Sequence, residues 1–189
     1  PGDVARLDLA LSRAEARAGL PPQTLAAVLV ATETAAAVLA LAEFRQPLPR
    51  LAAMLWGGED LAGDLGVPRN RDRQGHYRAP FQLARNLMLM AAAATGALPI
   101  DAVYVDVRDG DGLGAESEAA RADGFLAKAA IHPEQVPVIN QAFSASEEER
   151  AWAARVVQAL DGGATGLAVI DGKMVDAPHL RLARRILSR

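Results

Sequence analysis

The stretch LWGGEDLAGDLG at residues 55–66 ends an apolar run at two glycines and then sets Glu59, Asp60 and Asp64 within one short segment. Carboxylates crowded at such a point can do two things. They can occupy the first turn of a helix, where the positive end of the dipole favours acid, or they can hold a metal ion. Other apolar segments also lead into ionisable groups: TLAAVLVAT into Glu33, DAVYVDV into Asp106 and Asp109, and KAAI into His132. Each has a structural reading of its own. Glu33 can open the next helix, Asp106 and Asp109 can serve the turn DGDG, and His132, before Pro133, can be a structural histidine. Taken together they are hard oxygen donors in a chain with no cysteine and three histidines, a set that suits Mg²⁺, with Mn²⁺ as the alternative, better than zinc. Two carboxylates completed by water and substrate oxygens make the usual partial protein shell of Mg²⁺.

The elements that must position these groups are legible from periodicity and breakers. Asp3 can cap a helix through about residue 18, stopped at Gly19. Buried strands are expected at 24–33, 51–57, 101–107 and 128–133, because these runs are apolar without alternation. Helices are expected at 34–45, in the short acidic segment after Gly58, at 80–96, at 116–124 and in part of 134–143. The polar arm at 67–78 reads as a loop. Ser146 and Glu149 have capping-box spacing at the head of a helix ending near Leu160. A short extended segment turning at Asp171-Gly172 and a helix from about Ala177 close the chain. Strand and helix alternate four times, which predicts a parallel sheet covered by helices. Ligands of such sheets lie at the carboxyl ends of the strands, the edge to which all the groups above are delivered. No boundary is visible before about residue 145, so 1–145 reads as one α/β domain and 146–189 as a helical extension.

Composition narrows the function. The 189 residues are 51% hydrophobic and 23% charged, with a net charge of −3 and a pI near 5.6. The basic clusters RNRDR (69–73) and RLARR (181–185) are isolated, and the second falls where cations favour a helix end, so no nucleic-acid footprint is present. Every apolar run is broken before about 18 residues, too short to span a membrane, and the first residues lack the pattern of a signal peptide. The absence of cysteine fits a cytoplasmic location.

Several segments together resemble the citrate lyase beta subunit-like family, part of the wider group of malyl-CoA lyases and 2-oxo-acid aldolases. TET (32–34) is similar to that family's strand end, and GGEDLAGDLG (57–66) to its acidic segment. IDAVYVDVRDGDGL, GFLAKAAIHPEQVPVINQAF and DGKMVDAPHLRLAR come next in the family's order, so the resemblance runs from about residue 20 to 188. It implies a (β/α)₈ TIM barrel of which this chain holds only the C-terminal half, about four βα units, followed by the extension carrying GKMVD. It also implies Mg²⁺ held by Glu33 and Asp60, and an acid, Asp176, brought over a neighbouring subunit's site as proton donor or acceptor. The functional unit would then be a homo-oligomer, a trimer or a multiple of one. The implied reaction is cleavage of a CoA thioester such as citryl-CoA or malyl-CoA to acetyl-CoA and a 2-oxo acid. A 2-oxo-acid aldolase, a thioesterase or synthase on the same site, and a non-catalytic binding subunit are the alternatives. Thr32 and Ala127 depart from the family's usual residues and leave the substrate class open. A half barrel would expose two sheet edges and one apolar face, from which we expect either a longer natural polypeptide or pairing of those edges with another copy.

Overall fold

The computed structural model describes residues 2–161 and 166–188, which divide into two compact units, one through Phe143 and one from Ser144. The first unit begins with helix α1 (Gly2–Ala18) and then builds four strands: β1 (Ala27–Val30), β2 (Leu51–Leu55), β3 (Leu98–Asp101) and β4 (Ala127–Lys128). Helix α2 (Ala35–Ala40), extended by a 3₁₀ turn at Leu41–Glu43, follows β1. Helices α3 (Gly58–Asp64) and α4 (Ala79–Thr95) follow β2, α5 (Gly110–Asp123) follows β3, and α6 (Gln135–Phe143) follows β4. The strands pair in sequence order and all in parallel, as the alternation predicted. This is the half-barrel that the sequence implied.

The sheet is covered on one face. Met54, Trp56, Phe81, Ala84, Met88 and Ala92 form the centre of the core between β2 and α4. Gly96, at φ 75°, turns the chain out of α4 in the left-handed conformation that glycine adopts without steric cost, and Ala97 and β3 follow at once. On the opposite face, Val28 and Val30 of β1 are 61% and 40% exposed, while Ala53, the β2 partner of Val28, is buried. The expectation of burial on both faces therefore holds for β2, where Leu51, Ala53 and Met54 are all buried, and is corrected for β1, whose Val28 and Val30 are open.

Two strand boundaries also need correction. The third strand was expected at 101–107, yet β3 ends at Asp101. Residues 102–109 form a loop in which Val105 and Val107 are exposed, so the apolar run through YVDV records no strand. The fourth was expected at 128–133 and is β4, only Ala127–Lys128. Beyond it Gln135 orders the chain: its side chain accepts from the Ile131 N–H at 2.9 Å and donates to the Tyr104 carbonyl at 2.8 Å, fixing two loops to one buried amide. Helix α5 likewise starts six residues earlier than expected at 116, because Asp109 caps it through the Gly112 N–H at 2.9 Å.

Helix α1 docks through charge. Its buried residue is Glu15, which accepts from both terminal nitrogens of Arg50 at 2.7 and 2.9 Å and from the N–H groups of Leu25 and Gln23. Asp8 and Ser12 complete the shell around the same guanidinium. The hydrogen bonds from Arg50, then that from Leu25, hold the Glu15 carboxyl well down, at about 2. A lowered pKa stabilises the fold above the ordinary glutamate range, and that contribution is lost as pH falls from there towards 2. We predict that hydrogen exchange in α1 accelerates over that acid window in the wild-type protein. In Glu15→Gln the α1 amides should exchange fast already at neutral pH, with a weakened acid dependence.

In the second unit, α7 (Glu147–Leu160) opens with the expected capping box at Ser146 and Glu149. β5 (Ala168–Ile170) and β6 (Lys173–Val175) form an antiparallel hairpin, and α8 (Ala177–Leu187) comes after it. Asp171 and Gly172 both take positive φ, 51° and 75°, as the tightest hairpin turns require. The unit has a small core of its own around Ala153, Val156, Leu160, Val175 and Ala183. The extended segment expected to turn at Asp171-Gly172 is this hairpin, set between the two helices of the extension. Among the described residues no helix is long and apolar enough to cross a membrane.

Candidate metal centre

The carboxyl ends of β1 and β2 meet at Thr32 and Gly57. The ladder runs one step past β1, with Ala31 N–H donating to Leu55 O at 2.8 Å. Thr32, fully buried, then accepts the Gly57 N–H on its hydroxyl at 2.9 Å. That bond decides what the acids nearby do. Gly57 is the N-cap of α3 and has no side chain with which to cap it, and its own N–H, which an acid three residues on could otherwise take, is already spent on Thr32. Asp60 is released from capping. Glu59 accepts from Asn70 Nδ2 at 2.6 Å, and Asp64 accepts from the Ala35 N–H at 2.7 Å, tying α3 to the head of α2. Thr34 caps the same helix through the Ala37 N–H. Glu33 therefore opens no helix by its side chain.

Glu33 and Asp60 are left facing one space. A methyl group placed on Gly57 would lie 3.3 Å from Glu33 Cγ and 3.6 Å from Asp60 Oδ2. Among the described residues neither carboxylate has a hydrogen-bond or ion-pair partner, unlike Glu59 and Asp64 on either side. The backbone at Gly57, φ −113° and ψ 103°, is open to any residue; glycine keeps the space clear. Two hard carboxylates on side chains that both border this space fit a Mg²⁺ ion with room for other oxygens. No group of three or more Asp, Glu, His or Cys side chains gathers into a metal-holding cluster among the described residues. Replacing Thr32 by Val keeps the shape but strands the Gly57 N–H; we predict a stability loss of about 1–3 kcal/mol, read by denaturant unfolding.

The other sequence candidates lie elsewhere. Asp109 caps α5 and accepts the Tyr104 hydroxyl at 2.5 Å, a bond that pushes the tyrosine up to about 12. Asp106 accepts the Arg108 N–H two residues on, a local turn. His132 is exposed and meets the Glu134 N–H at 3.3 Å. These three keep to their structural readings. Asp176 belongs to the second unit, where it joins β6 to α8 and pairs with His179, the two atoms 2.7 Å apart.

A charge cluster that the sequence reading missed lies behind the acidic segment. Asp101, the last residue of β3, is 1% exposed; it accepts from Trp56 Nε1 at 2.7 Å, Arg85 Nε at 2.9 Å and Lys128 Nζ at 2.8 Å. Burial works to raise its pKa, but the charges of Lys128 and Arg85 outweigh it and hold the carboxyl below its ordinary value. Lys128 also donates to Glu116 at 2.8 Å, and Glu116 takes Arg71 in a fork. Arg71 lies 3.7 Å over the Tyr77 ring, which meets Trp56 edge-on. The loop expected at 67–78 is in this way clamped onto the sheet. The indole stands where a methyl on Gly58 would come, 3.0 Å away, so the cluster backs directly onto the start of α3. A cavity of about 610 Å³ opens beside it, lined by Arg71, Arg85, Asn86, Asp101 and Glu116 among others. It includes neither Glu33 nor Asp60, and its charged groups are already paired with one another.

A parallel half-barrel with unpartnered carboxylates at adjacent strand ends is the frame of a metal-assisted TIM-barrel enzyme family. Residues 27–189 match the family model for the C-C bond lyases of the TIM-barrel fold, and the chain belongs to that family. It is 39% identical over 162 residues to the citrate lyase subunit beta-like protein of Mycobacterium tuberculosis, covering 86% of this chain and 59% of that protein. A (3S)-malyl-CoA thioesterase of Cereibacter sphaeroides is 39% identical over 160 residues, covering 83% and 54%. The crystal structure of CitE from M. tuberculosis in complex with magnesium, acetoacetate and coenzyme A superposes with a TM-score of 0.71 at 39% identity, over 82% of this chain and 57% of that one. The chain thus spans a little over half the length of these relatives.

Proposed function

We propose that the protein carrying this chain is a Mg²⁺-dependent carbon–carbon lyase that cleaves a 3-hydroxyacyl-CoA thioester of the citryl-CoA or malyl-CoA type to acetyl-CoA and a 2-oxo acid. The observation that carries the reading is the pair of unpartnered carboxylates, Glu33 and Asp60, whose side chains both border the space over Gly57. Glu33 and Asp60 are the ligands that would hold the ion, and Mg²⁺ bound there supplies Lewis-acid polarisation of the oxo acid's oxygens. Gly57 leaves the space, and Thr32 keeps Asp60 from turning back onto the backbone. Asp176 serves as the acid that protonates, and in reverse deprotonates, the carbon next to the thioester carbonyl. It does so across a homo-oligomer, a trimer or a multiple of one, where it reaches a neighbouring subunit's site. The supports are the family membership, the magnesium and coenzyme A in the solved relative, and the GKMVD segment.

The likeness to a malyl-CoA thioesterase supports a second reading on the same site, in which the thioester is hydrolysed. Product analysis separates the two. With malyl-CoA or citryl-CoA and Mg²⁺, the lyase releases acetyl-CoA with glyoxylate or oxaloacetate, and EDTA stops it. Free CoA with intact malate or citrate would establish the thioesterase instead. Metal-independent turnover, or none at all, would overturn both.

A further inference from the structure

In the second unit, His179 stands three residues after Asp176, in the first turn of α8, with its Nδ1 2.7 Å from Asp176 Oδ1. We infer that His179 is a positioning residue for Asp176: it holds one carboxylate oxygen so that the other alone exchanges the proton with substrate. The inference rests on the proton-transfer role proposed above for Asp176.

Two bare acceptors do not approach to 2.7 Å, so a single proton lies between these atoms. With the aspartate oxygen as acceptor, that proton sits on Nδ1, which donates to Oδ1. The same two residues form a capping box at the head of α8, the Asp176 side chain facing the His179 backbone N–H, which keeps the ring over the same corner. The backbone beneath is stiff. Asp176 is extended, at φ −145° and ψ −165°, and Pro178 fixes its own φ in the first turn, where a missing N–H costs no helical bond. Two other charge pairs of the unit close elsewhere: Arg155 forks onto Asp171, and Arg184 pairs with Asp161. Among the described residues His179 is the one side chain paired with Asp176. Both side chains remain partly exposed, 33% for the aspartate and 42% for the histidine, so the carboxylate can be reached by a ligand while Oδ1 is held. A free surface aspartate samples several rotamers; one pinned by its neighbour presents one oxygen in one place, and orientation of that kind lowers a barrier without tightening substrate binding.

The test compares His179→Ala and His179→Asn in the native protein with malyl-CoA and Mg²⁺. Alanine removes the donor, and kcat is expected to fall about tenfold with KM unchanged. Asparagine offers an N–H at the position of Nδ1 and should restore most of that loss. In an Asp176→Ala background, His179→Ala should cost nothing more. Wild-type kcat in His179→Ala, or an equal loss with and without Asp176, would overturn the inference, as would a loss seen only as a lower melting temperature. An activity-independent reading comes from ¹⁵N NMR of the histidine ring. The Nδ1–H tautomer is expected, with a resonance that moves in Asp176→Asn and vanishes in His179→Asn. An Nε2–H tautomer unaffected by Asp176 would refute the pairing. Absence of metal-dependent product in the wild type would count against the proposed function, and the NMR result would still judge the pair.

Discussion

Asp60→Asn is expected to abolish both the Mg²⁺-dependent rise in melting temperature and the cleavage reaction, while leaving the metal-free protein as stable as the wild type. The asymmetry comes from the site. Asp60 has no partner within the described fold, and α3 starts without its help because the Gly57 N–H is bonded to Thr32. Removing its charge therefore breaks nothing in the absence of metal. With Mg²⁺ at about 100 times its dissociation constant, the wild type gains about 2.7 kcal/mol, which for a chain of this size raises the midpoint by roughly 5–10 °C. Loss of Lewis-acid assistance is worth several kcal/mol in the transition state, so kcat should fall by about 10³-fold. Gly57→Ala is the complementary variant. Its backbone angles suit alanine, yet the new methyl lies 3.3 Å from Glu33 and 3.6 Å from Asp60. It should fold normally and lose the Mg²⁺ response. Differential scanning fluorimetry with Mg²⁺ and with EDTA checks both.

The second large effect concerns stability. Lys128→Ala leaves Asp101 buried without its nearest ammonium and deprives Glu116 of one of its two cations. Breaking a buried pair on one side costs roughly 3–5 kcal/mol, because the remaining charge stays desolvated. Arg85 and Trp56 still donate to Asp101, which keeps the loss at that level. The pH dependence has a definite sign. The folded Asp101 carboxyl is held below its ordinary value, so its contribution is present above the unfolded aspartate range and is lost as the solution is acidified through the folded one. Urea unfolding at neutral and acid pH should show a large wild-type advantage over Lys128→Ala at neutral pH that shrinks on acidification. Equal stability at neutral pH would mean that the cluster contributes packing alone.

Much of this arrangement was legible in the sequence. The alternation of apolar runs with helical segments fixed the parallel order, and Gly57-Gly58 followed by acid marked the strand end that matters. The division of labour among Glu59, Asp60 and Asp64 was not legible, because it depends on Asn70, Ala35 and Thr32, partners brought in by the fold from other segments. Asp101 and Lys128 were passed over for a related reason. Reading YVDV as strand put Asp101 at the start of β3 and Lys128 at the start of β4, when both residues end their strands. Ending both strands at these residues, rather than starting them there, delivers the paired charges to the carboxyl edge of the sheet, and the helix cap at Asp109 was the local signal for the earlier end of β3. The open face of β1 was hidden because its outward residues, Val28 and Val30, are as apolar as its inward ones.

The most direct test of the central claim is a titration of the native protein with Mn²⁺, monitored by electron paramagnetic resonance and competed with Mg²⁺. We predict one displaceable site per chain in the wild type, lost in Glu33→Gln, in Asp60→Asn and in Gly57→Ala. Unchanged Mn²⁺ affinity in those three variants would place the metal elsewhere and contradict the account.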